Sequence, residues 1–408
     1  MKLKKILALV MVLALTVSLF AGCGGSTPAS EAPASDAPAS DAPASDAPVA
    51  GDGDTIKIGY VSALSGDTAL WGQAGLDGML MTAEKVNADG GVLGKKIEVI
   101  GLDGRGDPAD SVNAYKKLVD EYGVCAVVGT NFSSCNIPMA AVADELKVPV
   151  IATAASNELV TVDESGNLHP YSFRLCFIDS FQGTMLGRYA VEKLGVKKGA
   201  IITDISDAYS TGVGSYIVEA FVAGGGEMVA QEEAQAGDQD FRAQLTKIAA
   251  AQPDVLFIPW IYQNVALIAK QARELGIECV MLGADGWDSM DLAELAGEGT
   301  LEGCSFVSRI GFNTPEAAAY RDEYKAKYNI EVEAECLFGN DGLLWICDAI
   351  ERAGSADPIA VRDALESTTT FNGLLGEMTM DPATHNPTRD IAVFTFENGE
   401  YVFTEIFK

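Results

Sequence analysis

The sequence predicts an α/β protein built from two Rossmann-like, doubly wound lobes with a cleft between them. From Ile56 onward, short continuous apolar runs alternate with amphipathic helical stretches. That pattern is typical of parallel strands covered by helices on both faces of a sheet. The pattern starts again near Phe181, and two successive units of this kind imply two lobes.

Each element of the first unit has its own signal. Apolar runs predict strands at Ile56–Val61, Ile97–Leu102, Ala126–Gly129 and Val150–Ala152. Helical periodicity predicts helices at Gly72–Asn87, Pro108–Tyr122 and Asn136–Leu146. Asp107 is an N-cap residue followed by a proline in the first turn, which marks where the second of these helices begins.

The second unit repeats this order. Strands are predicted at Ala200–Asp204, Glu227–Ala230, Val255–Pro259, Val280–Gly283 and Ser305–Val307. Helices are predicted at Phe181–Leu194, Tyr209–Ala223, Phe241–Ala250 and Val265–Leu275. Two long helices follow (Pro315–Tyr328, Phe338–Ala353), and then strand-like segments at Glu377–Met380, Ile391–Phe396 and Tyr401–Ile406. These last segments are too few for a third domain, so we expect them to complete the two lobes.

The first 22 residues read as a signal peptide. Three lysines precede an apolar run from Ile6 to Phe20, which is short for a membrane-spanning helix and typical of a signal-peptide core. Small residues then stand directly before Cys23, and this arrangement resembles a bacterial lipobox, so we predict that Cys23 is lipidated. The alternative is an ordinary secretory signal followed by a chance cysteine.

Residues 23–53 are predicted to be a disordered tether that follows the lipidated cysteine. Between Ser26 and Ala50 the pentad Ala-Ser-Asp-Ala-Pro recurs with small variations. Proline, small and acidic residues in this mixture cannot bury a core and favour extended conformations.

Composition excludes several classes of function. The formal net charge of −30 argues against nucleic-acid binding, which needs clustered basic residues. Only His169 and His385 supply imidazoles and no CxxC pair occurs, so neither a metal nor a cofactor is predicted. We expect Cys279 and Cys304 to form a disulfide, because they begin consecutive parallel strands and their Cα atoms could lie near the 5–6 Å or so that suits one.

Several segments resemble the type I periplasmic binding proteins, above all the leucine/isoleucine/valine-binding proteins of branched-chain amino acid transporters. The segments that carry this resemblance are Asp54–Gly66 (DTIKIGYVSALSG), Ala88–Glu98, Val128-Gly129, Asp179–Gly183, Gln271–Gly276 and Asp348–Gly354. The resemblance implies three crossover strands between the lobes, near residues 176–180, 303–308 and 371–378. Lobe 1 would then comprise residues 54–178 and 306–370, and lobe 2 residues 179–305 and 371–408.

Candidate ligand-binding residues follow the strands, because ligands of open parallel sheets bind beyond the carboxyl ends of strands. Ser133 precedes a helix and offers a hydroxyl at an anion-binding N-terminus, although simple helix capping would explain a serine there. Asp285 follows an apolar strand, where an exposed turn is the alternative. Aromatic residues also follow strand ends: Trp71, Tyr209, and either Trp260 or Tyr262.

The resemblance assigns roles to these residues. It implies that Ser133 binds the carboxylate of an amino acid, with support from the hydroxyl of Ser156. The backbone carbonyl of Ala154 and the carboxylate of Asp285 would take the ammonium group. Trp71 and Tyr209 would close over the ligand from the two lobes.

The sequence therefore predicts a binding protein and not an enzyme. It contains no GxSxG elbow, no GxxxxGK[ST] loop and no GxGxxG after the first strand. The resemblance implies an extracytoplasmic, membrane-anchored lipoprotein, monomeric, which closes its hinge on a small amino acid (branched-chain or similar) and delivers it to the permease of an ABC importer. Alternatives are a binder of an amide, urea or an aromatic acid, and a ligand-sensing lobe for a signalling receptor.

Overall fold

The computed structural model describes residues 55–309, 311, 314–330 and 332–408. The predicted signal peptide, the lipidation site Cys23 and the predicted tether lie outside these residues. Among the described residues, no helix is long and apolar enough to cross a membrane.

Sixteen strands and eleven α-helices occur in the described residues. The strands are β1 (Thr55–Ser62), β2 (Lys96–Asp103), β3 (Val127–Val128), β4 (Val150–Ala152), β5 (Ser172–Arg174), β6 (Lys198–Asp204), β7 (Glu227–Ala234), β8 (Val255–Phe257), β9 (Val280–Gly283), β10 (Ser305–Ser308), β11 (Phe371–Gly373), β12 (Gly376–Met378), β13 (Met380–Asp381), β14 (Asn386–Pro387), β15 (Ile391–Glu397) and β16 (Glu400–Phe407). The helices are α1 (Ala69–Ala88), α2 (Pro108–Lys117), α3 (Ser133–Leu146), α4 (Asp179–Glu192), α5 (Ala208–Ala223), α6 (Arg242–Ala251), α7 (Tyr262–Glu274), α8 (Leu292–Ala296), α9 (Pro315–Tyr328), α10 (Glu335–Ala353) and α11 (Pro358–Glu366).

Two separate sheets organise these elements. The first has five parallel strands in the order β2-β1-β3-β4-β5. The second has seven strands in the order β16-β15-β10-β9-β8-β6-β7, of which β15 and β16 are antiparallel to their neighbours. We call the parts of the protein built on them the five-stranded half and the seven-stranded half. The predicted α/β class with two doubly wound units is confirmed.

The chain passes between the halves three times. It leaves the five-stranded sheet after β5, returns after β10, and enters the seven-stranded sheet again at β15. Strand β10 pairs with both β9 and β15, so residues 305–308 belong to the seven-stranded sheet, beyond the predicted limit at 305/306. Phe371, Met378 and Met380 pack in the core of the five-stranded half, so the third passage also comes later than predicted. The reason is that the short apolar segments after α11 pack against the core of the five-stranded half, which is the nearer of the two cores.

Helix α1 lies directly against α10, and glycines allow this close contact. A Cβ atom on Gly339 would lie 2.0 Å from the carbonyl oxygen of Gly75. A Cβ atom on Gly78 would lie 2.2 Å from the carbonyl oxygen of Cys336. The backbones of the two helices therefore touch, and this contact joins the first helix of the chain to a late one in the five-stranded half.

Most predicted elements are present, with instructive differences. Helix α3 begins at Ser133 and α10 at Glu335, each three residues before the predicted start. The elements that were not predicted include β5, α8, α11 and β14. Two of them, β5 and α8, are only 3 and 5 residues long, which is too short for either periodicity to be recognised.

The expected disulfide between Cys279 and Cys304 is wrong, since both are free thiols. The register of β9 and β10 pairs Ser305 with Leu282, so Cys304 lies opposite Met281 and is two residues out of step with Cys279. Strand geometry then separates the two Cα atoms by about 8 Å, beyond the range of a disulfide. The sulfur of Cys304 instead accepts hydrogen bonds from the Met281 N–H and the Arg273 guanidinium, both at 3.4 Å.

The contact between α1 and α10 leads to the first prediction. Gly339→Ala forces a methyl group against a backbone oxygen, so the helices must move apart, and overpacking of this kind costs about 1–3 kcal/mol or more. We expect chemical denaturation to show a loss of about 2 kcal/mol in the free energy of unfolding. Gly237→Ala is the matched control, because no atom lies within 4 Å of its Cβ position. Equal denaturation midpoints for the two variants would contradict this packing.

Candidate ligand-binding cavity

A cavity of about 340 Å³, its opening to solvent included, lies between the carboxyl ends of the two sheets. Its lining residues are Trp71, Asn131, Phe132, Ser133, Ala154, Asp207, Tyr209, Ile261, Asp285, Gly286, Arg309 and Glu335. Both sheets change the direction of their strand order at this place, between β1 and β3 and between β6 and β8. These are the topological switch points at which open α/β sheets bind ligands.

The first wall is the loop that leads from β3 into α3. The side chain of Asn136 holds this loop from both sides: its Oδ1 accepts from the Thr130 N–H at 3.1 Å and its Nδ2 donates to the Thr130 carbonyl at 2.8 Å. Helix α3 then begins at Ser133, so the first N–H groups of the helix are not used within it. This wall offers a hydroxyl and a helix N-terminus, which together suit a carboxylate.

Ser156 and Gln182 connect the two halves behind this wall. The Gln182 Nε2 donates to the Ser156 hydroxyl at 3.0 Å, and the Gln182 Oε1 accepts from the Asp285 N–H at 3.3 Å. Ser133 takes part as well, because its hydroxyl accepts from the Asn157 N–H at 3.2 Å. Ser156 is fully buried and does not line the cavity itself. It therefore supports the binding surface from behind.

Asp285 and Tyr209 form the opposite wall. The Tyr209 hydroxyl accepts from the Gly286 N–H at 2.8 Å, which fixes the turn that carries Asp285. Gly286 has to be a glycine, since a Cβ atom there would lie 2.6 Å from the Trp260 carbonyl oxygen and 2.8 Å from the Tyr209 hydroxyl. Burial raises the pKa of Asp285 to about 6, although the nearby Arg309 lowers it. A carboxylate of this kind gains free energy from a cation that enters the cavity.

Arg309 and Glu335 complete the polar lining. The Arg309 Nη2 donates to Glu335 Oε1 at 3.0 Å and lies 3.7 Å from Asp288 Oδ2. Burial alone would lower the pKa of Arg309, but the carboxylates of Glu335, Asp288 and Asp285 outweigh burial and raise it. Burial also raises the pKa of Glu335 to about 7 and that of Asp207 to about 6. Acidic groups thus outnumber the one arginine that lines the cavity.

Aromatic side chains close the cavity at one end. The Trp71 ring lies 4.8 Å from that of Tyr262 and 6.3 Å from that of Phe132, measured between centroids. Tyr262 reaches Trp71 across the two halves but does not line the cavity. Trp260 points away, because its Nε1 donates to the Ile202 carbonyl at 2.8 Å within the core of the seven-stranded half. The residue between them, Ile261, is the one that faces the cavity.

The structure brings together five of the predicted site residues as lining: Trp71, Ser133, Ala154, Tyr209 and Asp285. Sequence reasoning missed seven further lining residues, namely Asn131, Phe132, Asp207, Ile261, Gly286, Arg309 and Glu335. Most of them follow a strand end, so the rule that found Asp285 could have found Arg309 directly after β10. Glu335 had no such signal, since it belongs to the first turn of a helix that was predicted to start later.

The described residues contain no cluster of side chains that could hold a metal ion. The cavity lies between two α/β sheets and is lined by charged groups from both, which is an arrangement that suits a small polar solute. A sequence profile of the periplasmic binding protein family matches residues 55–400. The chain belongs to this family, and within it to the type I proteins of the leucine/isoleucine/valine-binding kind.

Three similar proteins illustrate this membership. A leucine-, isoleucine-, valine-, threonine- and alanine-binding protein of Pseudomonas aeruginosa is 28% identical over 325 residues, covering 79% of this chain and 86% of the relative. A leucine-binding protein of Thermotoga maritima is 31% identical with a TM-score of 0.79, covering 86% of this chain and 99% of that one. A branched-chain amino acid transporter substrate-binding protein of Streptococcus pneumoniae, solved with isoleucine, is 31% identical with a TM-score of 0.77, covering 86% and 100%.

The buried acids beside the cavity lead to the second prediction. Burial raises the pKa of Glu333 to about 8, and its Oε2 has no hydrogen-bond partner in the described part of the chain. The native state therefore holds a proton that the unfolded state releases above about pH 4, so this group makes stability fall as pH rises towards 8. We expect Glu333→Gln to flatten that fall and to be more stable than the parent at pH 8 by about 1 kcal/mol or more.

The measurement is the free energy of unfolding of both proteins from pH 5 to pH 8. Burial lowers the pKa of His385, which contributes a slope of the opposite sign in this range, but the histidine is present in both proteins and cancels in the difference. A difference between the two proteins that does not change with pH would contradict the assignment.

Proposed function

We propose that the protein binds a small α-amino acid, branched-chain or similar, in this cavity. The ligand's carboxylate would lie at the Ser133 hydroxyl and the N-terminus of α3, and its ammonium group would lie at Asp285 beneath Tyr209. The observation that carries the proposal is that one cavity has a helix N-terminus on one wall and a desolvated carboxylate on the other. A zwitterion complements these two walls simultaneously.

Binding is proposed to proceed by hinge closure between the two halves, the lobes of the sequence prediction. A ligand held by Ser133 and Ala154 on one side and by Asp285 on the other favours the closed arrangement, because only that arrangement makes both sets of contacts. In the structure the halves already touch through polar groups: the Asn157 Nδ2 donates to the Ala208 carbonyl at 2.9 Å. Opening of the cavity would also have to break the Gln182–Ser156 hydrogen bond and the Arg309–Glu335 ion pair.

The family and the N-terminal sequence support a proposal for the setting of this activity. We propose that the protein is a monomeric, extracytoplasmic lipoprotein anchored through Cys23, and that it delivers its ligand to the permease of an ABC importer. The names of the similar proteins, which include a branched-chain amino acid transporter component, support this role. No catalytic step is part of the proposal.

The third prediction tests the ammonium site. Asp285→Asn keeps the shape of the side chain and removes its charge, which leaves the ligand's ammonium group buried without its partner. Loss of one partner of a buried charge pair costs about 2–5 kcal/mol, so calorimetry should show affinity falling by roughly 30- to 5000-fold. The ligand is the best one from a thermal-shift screen of amino acids, amides, urea and aromatic acids.

Asp291→Asn is the matched control, because Asp291 lies nearby but is exposed to solvent. Its affinity should stay within threefold of the parent. If Asp285→Asn also binds within threefold, or if the best ligand carries no positive group, the amino-acid proposal fails and a neutral amide or an acid takes its place.

The fourth prediction tests the anchor. Cys23→Ser removes the thiol that would be acylated, so the variant should take up no labelled acyl chain and should be released from the membrane fraction. The intact protein, analysed by mass spectrometry, should begin at a diacylated Cys23. Cleavage at another position without any lipid would contradict the lipoprotein proposal and leave the proposed ligand site untouched.

A further inference from the structure

Three side chains that line the cavity each carry a buried N–H group without a hydrogen-bond partner in the described residues. These groups are Trp71 Nε1, Asn131 Nδ2 and Arg309 Nε. Seven buried side-chain nitrogen or oxygen atoms lack a partner in the described residues, so nearly half of them belong to residues around one cavity. A buried donor that stays unpaired is destabilising, and its concentration at a binding site indicates that the ligand supplies the acceptor.

In Asn131 and Arg309, other atoms of the side chain already have hydrogen-bond partners, and the unpaired N–H group is the one that remains. The Ser62 hydroxyl donates to Asn131 Oδ1 at 2.9 Å, so the NH₂ end of this amide is the end without a partner. Arg309 uses Nη2 for Glu335, which leaves Nε. The Trp71 indole can only donate. All three groups therefore require acceptors. The α-carboxylate is proposed to bind at Ser133, so a different group of the ligand has to supply these acceptors.

The charges around the cavity restrict what kind of acceptor fits. Three carboxyl groups line it, those of Asp207, Asp285 and Glu335, against the single guanidinium of Arg309. An acidic side chain on the ligand would satisfy the donors but would add a further anion to an acidic enclosure. A cationic side chain would satisfy the carboxylates and leave the donors unpaired. A primary amide is neutral, accepts through its oxygen and donates through its nitrogen, so it matches both sets.

We infer that the ligand is an α-amino acid whose side chain ends in a primary amide, of the asparagine or glutamine class. This inference rests on the proposed function, since the α-ammonium and α-carboxylate groups keep their places at Asp285 and Ser133. The amide oxygen accepts from donors among Trp71 Nε1, Asn131 Nδ2 and Arg309 Nε, two of which its two lone pairs can pair. The amide nitrogen faces Glu335 or Asp207.

A ligand with a hydrocarbon side chain fits this cavity less well. A second cavity adjoins the first, and Asp285 and Arg309 line both. Its apolar side is formed by Leu175, Phe177, Phe338 and Leu375, and its polar side also includes Arg389 and Asp390. The Arg309 guanidinium stands over the Phe338 ring at 4.5 Å and pairs with Glu335. A leucine side chain would have to displace this buried arginine to reach the apolar walls, and it would leave the three donors unpaired.

Calorimetry with glutamine, methionine, glutamate, leucine and lysine tests the inference. Glutamine, methionine and glutamate have nearly the same shape, so they compare an amide, an apolar group and an anion in one space. We expect glutamine to bind at least about 100-fold more tightly than methionine or leucine, because a site built for hydrogen bonds rejects analogues that lack them. Trp71→Phe keeps an aromatic, though smaller, ring and removes one donor, so it should lower the ratio of glutamine affinity to methionine affinity by roughly five- to tenfold.

Each outcome has a distinct meaning. Methionine or leucine binding as tightly as glutamine overturns the amide inference and leaves the proposed amino-acid function standing. Tighter binding of glutamate or lysine overturns it as well, in favour of a charged side chain. Failure of every amino acid to bind a protein with a native circular dichroism spectrum overturns the proposed function itself. An unchanged ratio in folded Trp71→Phe contradicts the role of the indole donor.

Discussion

The buried ion pair between Arg309 and Glu335 is the interaction on which the geometry of the cavity depends. Arg309 directly follows β10 in the seven-stranded half, and Glu335 begins α10, which packs in the five-stranded half. Their 3.0 Å contact therefore joins the two halves in the cavity wall. Removing one partner of such a pair typically costs about 3–5 kcal/mol, because the other charge stays buried alone. The ion pair therefore fixes the position of the Arg309 guanidinium, and the acidic residues of the cavity lie around it.

This arrangement makes the empty cavity electrostatically unbalanced. Asp207, Asp285 and Glu335 all have raised pKa values, which means that their ionised forms are destabilised by burial. A ligand with an ammonium group would relieve part of this cost, because its charge stabilises the ionised carboxylates. The same imbalance would oppose the binding of an anion. In the proposed function, selectivity for charge would thus come partly from the protein's own desolvated acids.

The sequence predicted what depends on local pattern and missed what depends on tertiary placement. Asp285 and Tyr209 were found because they follow strands, and the switch points of both sheets place such residues together. Trp260 also follows a strand, but its indole donates to the Ile202 carbonyl in the core, and no local signal separates that orientation from one towards the ligand. Glu335 was missed because its importance arises from a partner 26 residues away, Arg309, on another element. The late passage at residues 371–390 was missed for a similar reason, since short apolar segments join whichever core is nearer.

Trp71 has a consequence for how the protein can be observed. Its helix is held by backbone contact against α10 in the five-stranded half, while its ring packs on Tyr262 in the core of the seven-stranded half. The other three tryptophans, Trp260, Trp287 and Trp345, are fully buried within one core or the other. Separation of the halves would therefore remove the Tyr262 ring from the Trp71 indole and expose that indole to water. The other three tryptophans would keep their surroundings. If binding closes the halves as proposed, the chain carries an intrinsic fluorophore where they meet, and tryptophan emission would report ligand occupancy without any label.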